Sequence, residues 1–324
     1  MRALVSGGSG FIGTNLVADL LRSGHEVLSL DKAGPKSKLR ASNFRVVDLL
    51  DRVELAQIVK AFSPSHVIHL AARTDLRGLS AESYEANVVG TANILNACLQ
   101  VSRLERMVFA SSMLVCRNGY IPRSDDDYCP NTLYGQSKVS GELVVRGCRE
   151  LAGRWTIVRP TSIWGPWCGP PYLSFFLSLA RGRYWHPGSG NPPKAFGYVG
   201  NTTYQIVRLL TARLESVAGR TFYLADNPGY SIRDFATAIQ VALRTKPIRE
   251  LPLWLLRPTA ALGDVLMKLG WNNPPLTSFR LSNMLTGSQF DLRDLHSITG
   301  QLPFSLSEGV SETISWLRTS GAIR

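Results

Sequence analysis

Tyr134 and Lys138, four residues apart in YGQSK, are the pair in this chain whose types and spacing most directly suggest chemistry. Residues i and i+4 share one face of a helix, which predicts the lysine ammonium beside the tyrosine oxygen. A neighbouring cation favours the phenolate and moves a phenol of ordinary pKa near 10 toward use as a base around neutrality. Before them, an apolar run ends in Ala110-Ser111-Ser112. A serine hydroxyl at a strand end is placed to hydrogen-bond the same reactant oxygen. Together the three groups suit the removal of a proton from an alcohol as its carbon gives up hydride. YxxxK by itself recurs by chance, as a solvated helix pair with no role, so the reading depends on whether the chain also holds a hydride acceptor.

The N-terminus supplies that. A short apolar run leads straight into GGSGFIG, residues 7–13, followed by a helical pattern. Gly7 suits a tight turn of positive φ, because it has no Cβ. Gly10 lets backbone approach a diphosphate, and Gly13 permits close helix–strand packing. The free N–H groups and positive dipole end of the following helix complete an anion site. Asp31 closes the second apolar run, at the spacing where a carboxylate accepts hydrogen bonds from both ribose hydroxyls. It disfavours a 2′-phosphate, so NAD is expected rather than NADP. Lys32, Lys36 and Lys38 follow and soften that choice. Asp48, after a third apolar run, lies where a strand end meets adenine; the plainer alternative is a helix N-cap.

These groups need a scaffold. Strands are predicted over residues 3–6, 26–30, 44–47, 66–70, 107–111 and 156–159, with helices over 11–22, 53–62, 84–100 and 133–150 between them. Such alternation implies an α/β fold, a doubly wound parallel Rossmann-type sheet covered on both faces. After Pro160 the pattern becomes irregular and rich in Gly, Pro and Trp. The expected division is a dinucleotide-binding domain over 1–160, with a return segment at about 195–228. A smaller, mostly C-terminal substrate lobe takes 161–194 and 229–324, closing over the carboxyl edge of the sheet. Further helices are predicted over 202–214, 232–243, 251–269 and 306–317.

Composition narrows the class. Among 324 residues, 44% are hydrophobic, enough for a large core, and 19% charged, too few for wholesale disorder. Thirty-six Lys and Arg stand against 24 acids, a formal charge of +12 without a polybasic run. No zinc-finger spacing, RNA-binding signature or basic helix accompanies it, so nucleic acid is not an expected partner. Five scattered cysteines without a CxxC pair suggest neither a metal site nor a disulfide framework and suit a reducing cytoplasm. No signal peptide is evident. The apolar stretch 251–269 contains Arg257, Pro258, Asp264 and Lys268, so it reads as a buried or surface-lying helix rather than an integral membrane segment.

GGSGFIG, Asp31, HLAA (His69–Ala72), Asn87 with VVGT, SSMLVC, YGQSK, VRPTSIWGP and YVGN follow one another in an order that resembles the extended short-chain dehydrogenases/reductases. Within them the chain resembles the NAD-dependent epimerase/dehydratase group acting on nucleotide sugars. The resemblance implies that Gly7, Gly10, Phe11, Ile12 and Gly13 cradle the cofactor diphosphate, with Asp31 and Lys32 near the ribose. Asp48 and Leu49 fall to the adenine end. Leu70, Ala71 and Ala72 pass under the cofactor, with Asn87, Ser111 and Pro160 alongside. Ser112, Tyr134 and Lys138 are the implied catalytic centre, Lys138 also holding the nicotinamide ribose. Ser162 lies by the sugar, while Lys194 and Arg280 are candidates for the substrate diphosphate, or ordinary surface cations. A homodimer through the helices at 84–100 and 133–150 is likewise implied.

Two departures refine this. Dehydratases of the group place an acidic pair after the strand-end hydroxyl, where this chain has Met113 and Leu114. Neither transfers a proton, so elimination of water is not expected, and the glutamate of the decarboxylases is missing too. Cys116 replaces the usual tyrosine of that stretch; it and Cys168 read as inert thiols. The leading expectation is epimerisation of a nucleotide sugar at carbon 4. The alternative is a net keto-reductase or dehydrogenase acting on a nucleotide 4-keto sugar or a hydroxysteroid-like alcohol. A non-catalytic NAD-sensing or RNA-binding scaffold is disfavoured, because such relatives commonly lose the tyrosine or lysine and this chain keeps both.

Overall fold

A computed structural model describes residues 1–37, 41–188, 190–271, 274 and 276–323. The strands are β1 (Arg2–Ser6), β2 (Glu26–Asp31), β3 (Phe44–Val46), β4 (His66–His69), β5 (Arg106–Ala110), β6 (Trp155–Pro160), β7 (Ser162–Trp164), β8 (Trp185–Pro187), β9 (Pro193–Lys194), β10 (Phe196–Tyr198), β11 (Thr221–Leu224), β12 (Tyr230–Ser231) and β13 (Arg249–Leu251). The helices are α1 (Phe11–Arg22), α2 (Arg52–Phe62), α3 (Glu85–Leu99), α4 (Leu133–Gly147), α5 (Tyr172–Ala180), α6 (Val199–Thr211), α7 (Leu214–Val217), α8 (Ile232–Leu243), α9 (Leu253–Lys268), α10 (Ser278–Leu285), α11 (Arg293–Thr299) and α12 (Leu306–Thr319).

Seven strands form one sheet in the order β11-β6-β5-β4-β1-β2-β3. Among the described residues, the pairings within it are parallel. The chain order reverses between β1 and β4, the switch point at which doubly wound sheets bind ligands beyond their carboxyl ends. A parallel sheet is buried on both faces, and two apolar clusters show it. Leu55, Val59, Ile94, Leu95 and Val145 of α2, α3 and α4 pack with Leu4, Leu30, Val67 and Phe109. Leu16, Val17 and Leu20 of α1 pack with Ile206, Leu209 and Leu210 of α6 and with Val5, Ile68 and Val108. Each such side chain contributes about 1.5–3 kcal/mol.

The chain divides into two compact units. The first comprises Met1–Ile163, Gly197–Asn227 and Asp291–Pro303; the second comprises Trp164–Phe196, Pro228–Phe290 and Phe304–Arg324. Asp291–Pro303, which the sequence pattern alone puts in the lobe, carries α11, and its Leu295 joins the apolar cluster of the sheet. In the second unit, Trp164 packs on Phe235 with ring centroids 4.5 Å apart, and Trp167 pairs with Trp316 at 5.9 Å. Capping boxes start α8 (Ser231 with Asp234) and α12 (Ser305 with Glu308). α5 occupies part of the stretch that reads as irregular, because its Gly and Pro flanks obscure a helix of nine residues. α4 stops at Gly147, and a short 3-10 turn, Arg149–Leu151, follows where a continuous helix is predicted. α6 begins at Val199, three residues before its predicted start at 202.

Candidate active site

The glycine loop lies between β1 and α1. Gly7 has φ +78°, and a Cβ there would meet the Ala71 backbone nitrogen at 2.5 Å, so the turn requires glycine. A Cβ on Gly13 would lie 2.1 Å from the Gly7 carbonyl oxygen, which is the close helix–strand approach expected from the spacing. Gly10 is the N-cap of α1 and contributes no side-chain cap, and no acidic residue stands in the first turn with Phe11, Ile12 and Gly13. The helix entrance therefore keeps its N–H groups and positive dipole end for an anion. Asp31 ends β2 and faces this loop: its carboxylate accepts from the Ser9 N–H at 3.0 Å and the Ala33 N–H at 3.2 Å. A diphosphate at the α1 entrance and a ribose at Asp31 fit this arrangement.

The remaining cofactor candidates occupy the same unit. Lys32 is exposed next to Asp31; Lys38 lies outside the described residues. Asp48 caps a turn by accepting from the Leu50 N–H at 3.0 Å, whereas the N-cap of α2 is Asp51. Leu49 is buried, and its carbonyl accepts from the Asn93 amide at 2.8 Å. Leu70, Ala71 and Ala72 follow β4, half-buried. Asn87 is fully engaged: its amide oxygen accepts from the Arg73 N–H at 2.7 Å, and its amide nitrogen donates to the Arg73 carbonyl at 3.0 Å and to Ser137 Oγ at 2.9 Å. It joins the loop after β4 to α4 and positions both. Pro160 ends β6, paired in register with Leu224.

At the end of β5, the Ser111 N–H donates to the Val158 carbonyl at 2.7 Å, which anchors the turn. Ser112 is extended and N-caps the 3-10 turn Met113–Val115, its hydroxyl accepting from the Leu114 N–H at 3.1 Å. The same side chain lies close enough to the Tyr134 phenol to lower its pKa. Tyr134 and Lys138 are both buried in α4, which starts at its N-cap Thr132, whose side chain accepts from the Gly135 N–H at 3.0 Å. The Tyr84 ring lies 6.1 Å from that of Tyr134.

Serine, tyrosine and lysine thus converge, but the charge balance differs from that predicted. Burial pushes the Tyr134 phenol above its ordinary pKa; the Ser112 side chain draws it down, and Tyr84 adds to the rise. Lys138 donates to the Ala110 carbonyl at 2.6 Å, and burial draws its ammonium down from 10.5 to about 8, with Glu142 opposing. The cation bonds to a backbone carbonyl, and burial dominates the phenol. His69, bonded through Nδ1 to Ser6 Oγ at 2.6 Å, is pushed down to about 3 by burial and by Lys138, so it stays neutral and adds no second cation.

One constellation escapes sequence reasoning. Glu142, one helical turn beyond Lys138, accepts from Arg159 Nε at 2.9 Å and Nη2 at 2.8 Å, and from the Tyr128 hydroxyl at 2.9 Å. The Glu142 and Arg159 side chains are 1% and 0% exposed. Arg159 Nη1 also donates to the Tyr223 hydroxyl at 3.0 Å. Burial pushes the Glu142 carboxyl up, but the bonds and charge of Arg159 outweigh it and leave it below the ordinary range. The available signals are an arginine inside an apolar strand and a glutamate in i+4 relation to Lys138.

The substrate candidates are further apart in sequence. Ser162 begins β7. In the second unit, Lys194 pairs with Tyr230 across β9 and β12, and burial lowers its ammonium pKa. Arg280, exposed on α10, donates to the Pro274 carbonyl at 2.6 Å.

Comparison with known proteins then decides the family. The model of the NAD dependent epimerase/dehydratase family matches residues 3–225. The chain belongs to that family. It is an enzyme of the extended short-chain dehydrogenase/reductase class, and its cofactor is NAD. It is 28% identical to an N-acetyl-alpha-D-glucosaminyl-diphospho-ditrans,octacis-undecaprenol 4-epimerase of Escherichia coli O157:H7, over 97% of this chain and 94% of that protein. It is 33% identical to a 3 beta-hydroxysteroid dehydrogenase/Delta 5→4-isomerase of Mycobacterium tuberculosis, over 56% of this chain and 52% of that one. A similar solved structure is the UDP-glucuronic acid 4-epimerase of Bacillus cereus in complex with NAD, with TM-score 0.75 and 19% identity over 99% of each chain.

Proposed function

We propose that this enzyme epimerises carbon 4 of a sugar activated through a diphosphate, with a nucleotide sugar as the leading substrate and Ser112, Tyr134 and Lys138 as its catalytic centre. The observation that carries the reading is the burial of Tyr134 and Lys138 one helical turn apart on α4, with the Ser112 side chain, at the end of β5, acting on the phenol. A relative similar over nearly the whole chain is a 4-epimerase of a diphosphate-linked sugar. NAD, when bound, takes up a hydride and gives it back. Gly7, Gly10, Phe11, Ile12 and Gly13 hold its diphosphate, Asp31 its ribose, and Leu49, with Asp48 and Lys32 beside it, its adenosine half.

Tyr134 receives the substrate hydroxyl proton and later returns it; Ser112 fixes the oxygen. Lys138, released from the Ala110 carbonyl toward a ribose hydroxyl, places its charge where it lowers the phenol pKa. Met113 and Leu114 offer no second proton carrier, so no water is eliminated. Lys194 and Arg280 supply cations for the substrate diphosphate.

UDP- and GDP-hexoses, with N-acetylhexosamines on both nucleotide and polyprenyl diphosphates, are to be followed for isomer interconversion. Conversion without net NADH supports the reading, and its absence across the panel with NAD bound refutes it. Tyr134→Phe lowers turnover by about 10²–10⁴-fold while NAD still binds. The similarity to a hydroxysteroid dehydrogenase favours net alcohol oxidation as the second reading, which predicts stoichiometric NADH.

A further inference from the structure

α9 displays an apolar stripe to solvent while Leu253, Leu256 and Leu266 are half-buried. Over Leu253–Lys268 the residues it buries are Ala260 and Gly263. A Cβ on Gly263 would sit 1.9 Å from the Leu276 carbonyl oxygen, so this narrow face is pressed against backbone. The opposite face carries Trp254, Pro258, Ala261, Leu262, Val265 and, just past the helix, Leu269, at the 3.6-residue period of one stripe, and all six are exposed. Trp254 is 74% exposed and Leu269 77%. Arg257 and Lys268 flank the stripe on one side, and Trp271 and Phe279 add exposed aromatic rings just beyond the helix.

Charge selects the occupant. From Arg244 to Lys268 the sequence has five basic residues (Arg244, Lys246, Arg249, Arg257, Lys268) and two acidic ones. Both acids are engaged: Glu250 pairs with Arg233, and Asp264 accepts from the Ser278 N–H at 3.1 Å. A second copy would bring like charge against like. An anionic bilayer offers opposite charge to the cations and an acyl boundary to the tryptophans and leucines. Among the described residues no helix is long and apolar enough to cross a membrane, so the fitting geometry is a helix lying in the interface plane.

We infer that α9 docks this enzyme onto an anionic membrane surface, its Trp254–Leu269 stripe entering the headgroup boundary. This stands apart from the reaction proposed above and is tested without it. The NAD-loaded full chain is sedimented with phosphatidylcholine vesicles containing phosphatidylglycerol, and with phosphatidylcholine alone. Expected are binding to the anionic vesicles that weakens with salt, and quenching of tryptophan emission by brominated acyl chains. Trp254→Phe combined with Trp271→Phe removes most of that quenching. Leu262→Glu with Val265→Glu abolishes binding, and Arg257→Gln and Lys268→Gln each weaken it about fivefold. NAD binding and far-ultraviolet dichroism of each variant confirm that it is folded.

No vesicle binding at low salt overturns the inference. Binding that survives Leu262→Glu with Val265→Glu overturns it too, as does a vesicle-free dimer that those changes dissolve. Sugar epimerisation in solution by a chain that ignores vesicles leaves the proposed reaction standing and removes only the membrane surface.

Discussion

α4 and α9 distribute polarity in opposite ways. α4 points Lys138, Glu142 and the Tyr134 hydroxyl inward and leaves Leu143 55% exposed. α9 fully buries only the small Ala260 and Gly263, keeps Leu253, Leu256 and Leu266 half-buried, and turns Trp254, Leu262 and Val265 to solvent. Folding opposes both arrangements, since buried charge loses hydration and exposed hydrocarbon gains nothing from the core. In α4 the compensation is internal: Arg159, Tyr128 and the Ala110 carbonyl satisfy the buried groups. Nothing internal to α9 compensates its stripe. A helix with hidden charge is read for chemistry, and one with displayed hydrocarbon is read for contact.

The contrast can be broken at its strongest point first. Arg159→Leu removes one partner of the buried pair and leaves the Glu142 carboxylate uncompensated. It is expected to destabilise the chain by about 3–5 kcal/mol, read from the urea midpoint at constant slope. A change below ~1 kcal/mol would mean that water reaches Glu142 and that the pair is not the internal support of α4.

Lys138→Met separates chemistry from stability. The native lysine titrates near 8 rather than 10.5, so below pH 8 burial opposes its charged form. The unfolded chain binds the proton more readily, and stability therefore rises with pH between about 8 and 10.5. Lys138→Met abolishes turnover yet raises stability at pH 7, by up to about 3 kcal/mol before allowing for the bond lost to Ala110. The difference from the parent closes as the pH climbs through that window. A variant less stable than the parent at pH 7 would show that the bond to Ala110 outweighs desolvation.

The smallest effect belongs to α9. Leu262→Ser and Val265→Ser alter stability by no more than about 0.5 kcal/mol each in thermal melts without lipid, because neither side chain is in the core. A loss of ~2 kcal/mol would place the stripe inside a packed interface and erase the contrast.

The difference between the helices also explains what the sequence reveals. Gly7, Gly13 and Asp31 are legible because turn geometry and ribose chemistry restrict those positions to few residue types. Tyr134 and Lys138 are legible through helical spacing. The same spacing does not say that Lys138 reaches the Ala110 carbonyl, since a four-carbon stem swings to whichever acceptor burial supplies. Glu142 and Arg159 draw no reading from the sequence, because their partnership spans two elements that only the fold brings together. Residues 251–269 read as apolar on nearly every side, and nothing local tells which face the small pair Ala260 and Gly263 will turn inward. α5 is obscured by prolines and glycines that bound it without breaking it.

Asn87 holds the Arg73 backbone by both its N–H and its carbonyl while reaching Ser137 on α4. Ser137 in turn donates to the Tyr134 carbonyl at 2.7 Å. The loop after β4 and the first turn of α4 are therefore coupled by one side chain, like two levers on a common pin. Drift in that loop reaches the phenol without a change in any residue that touches the reactant, so this stretch of the molecule has few routes by which it can vary independently.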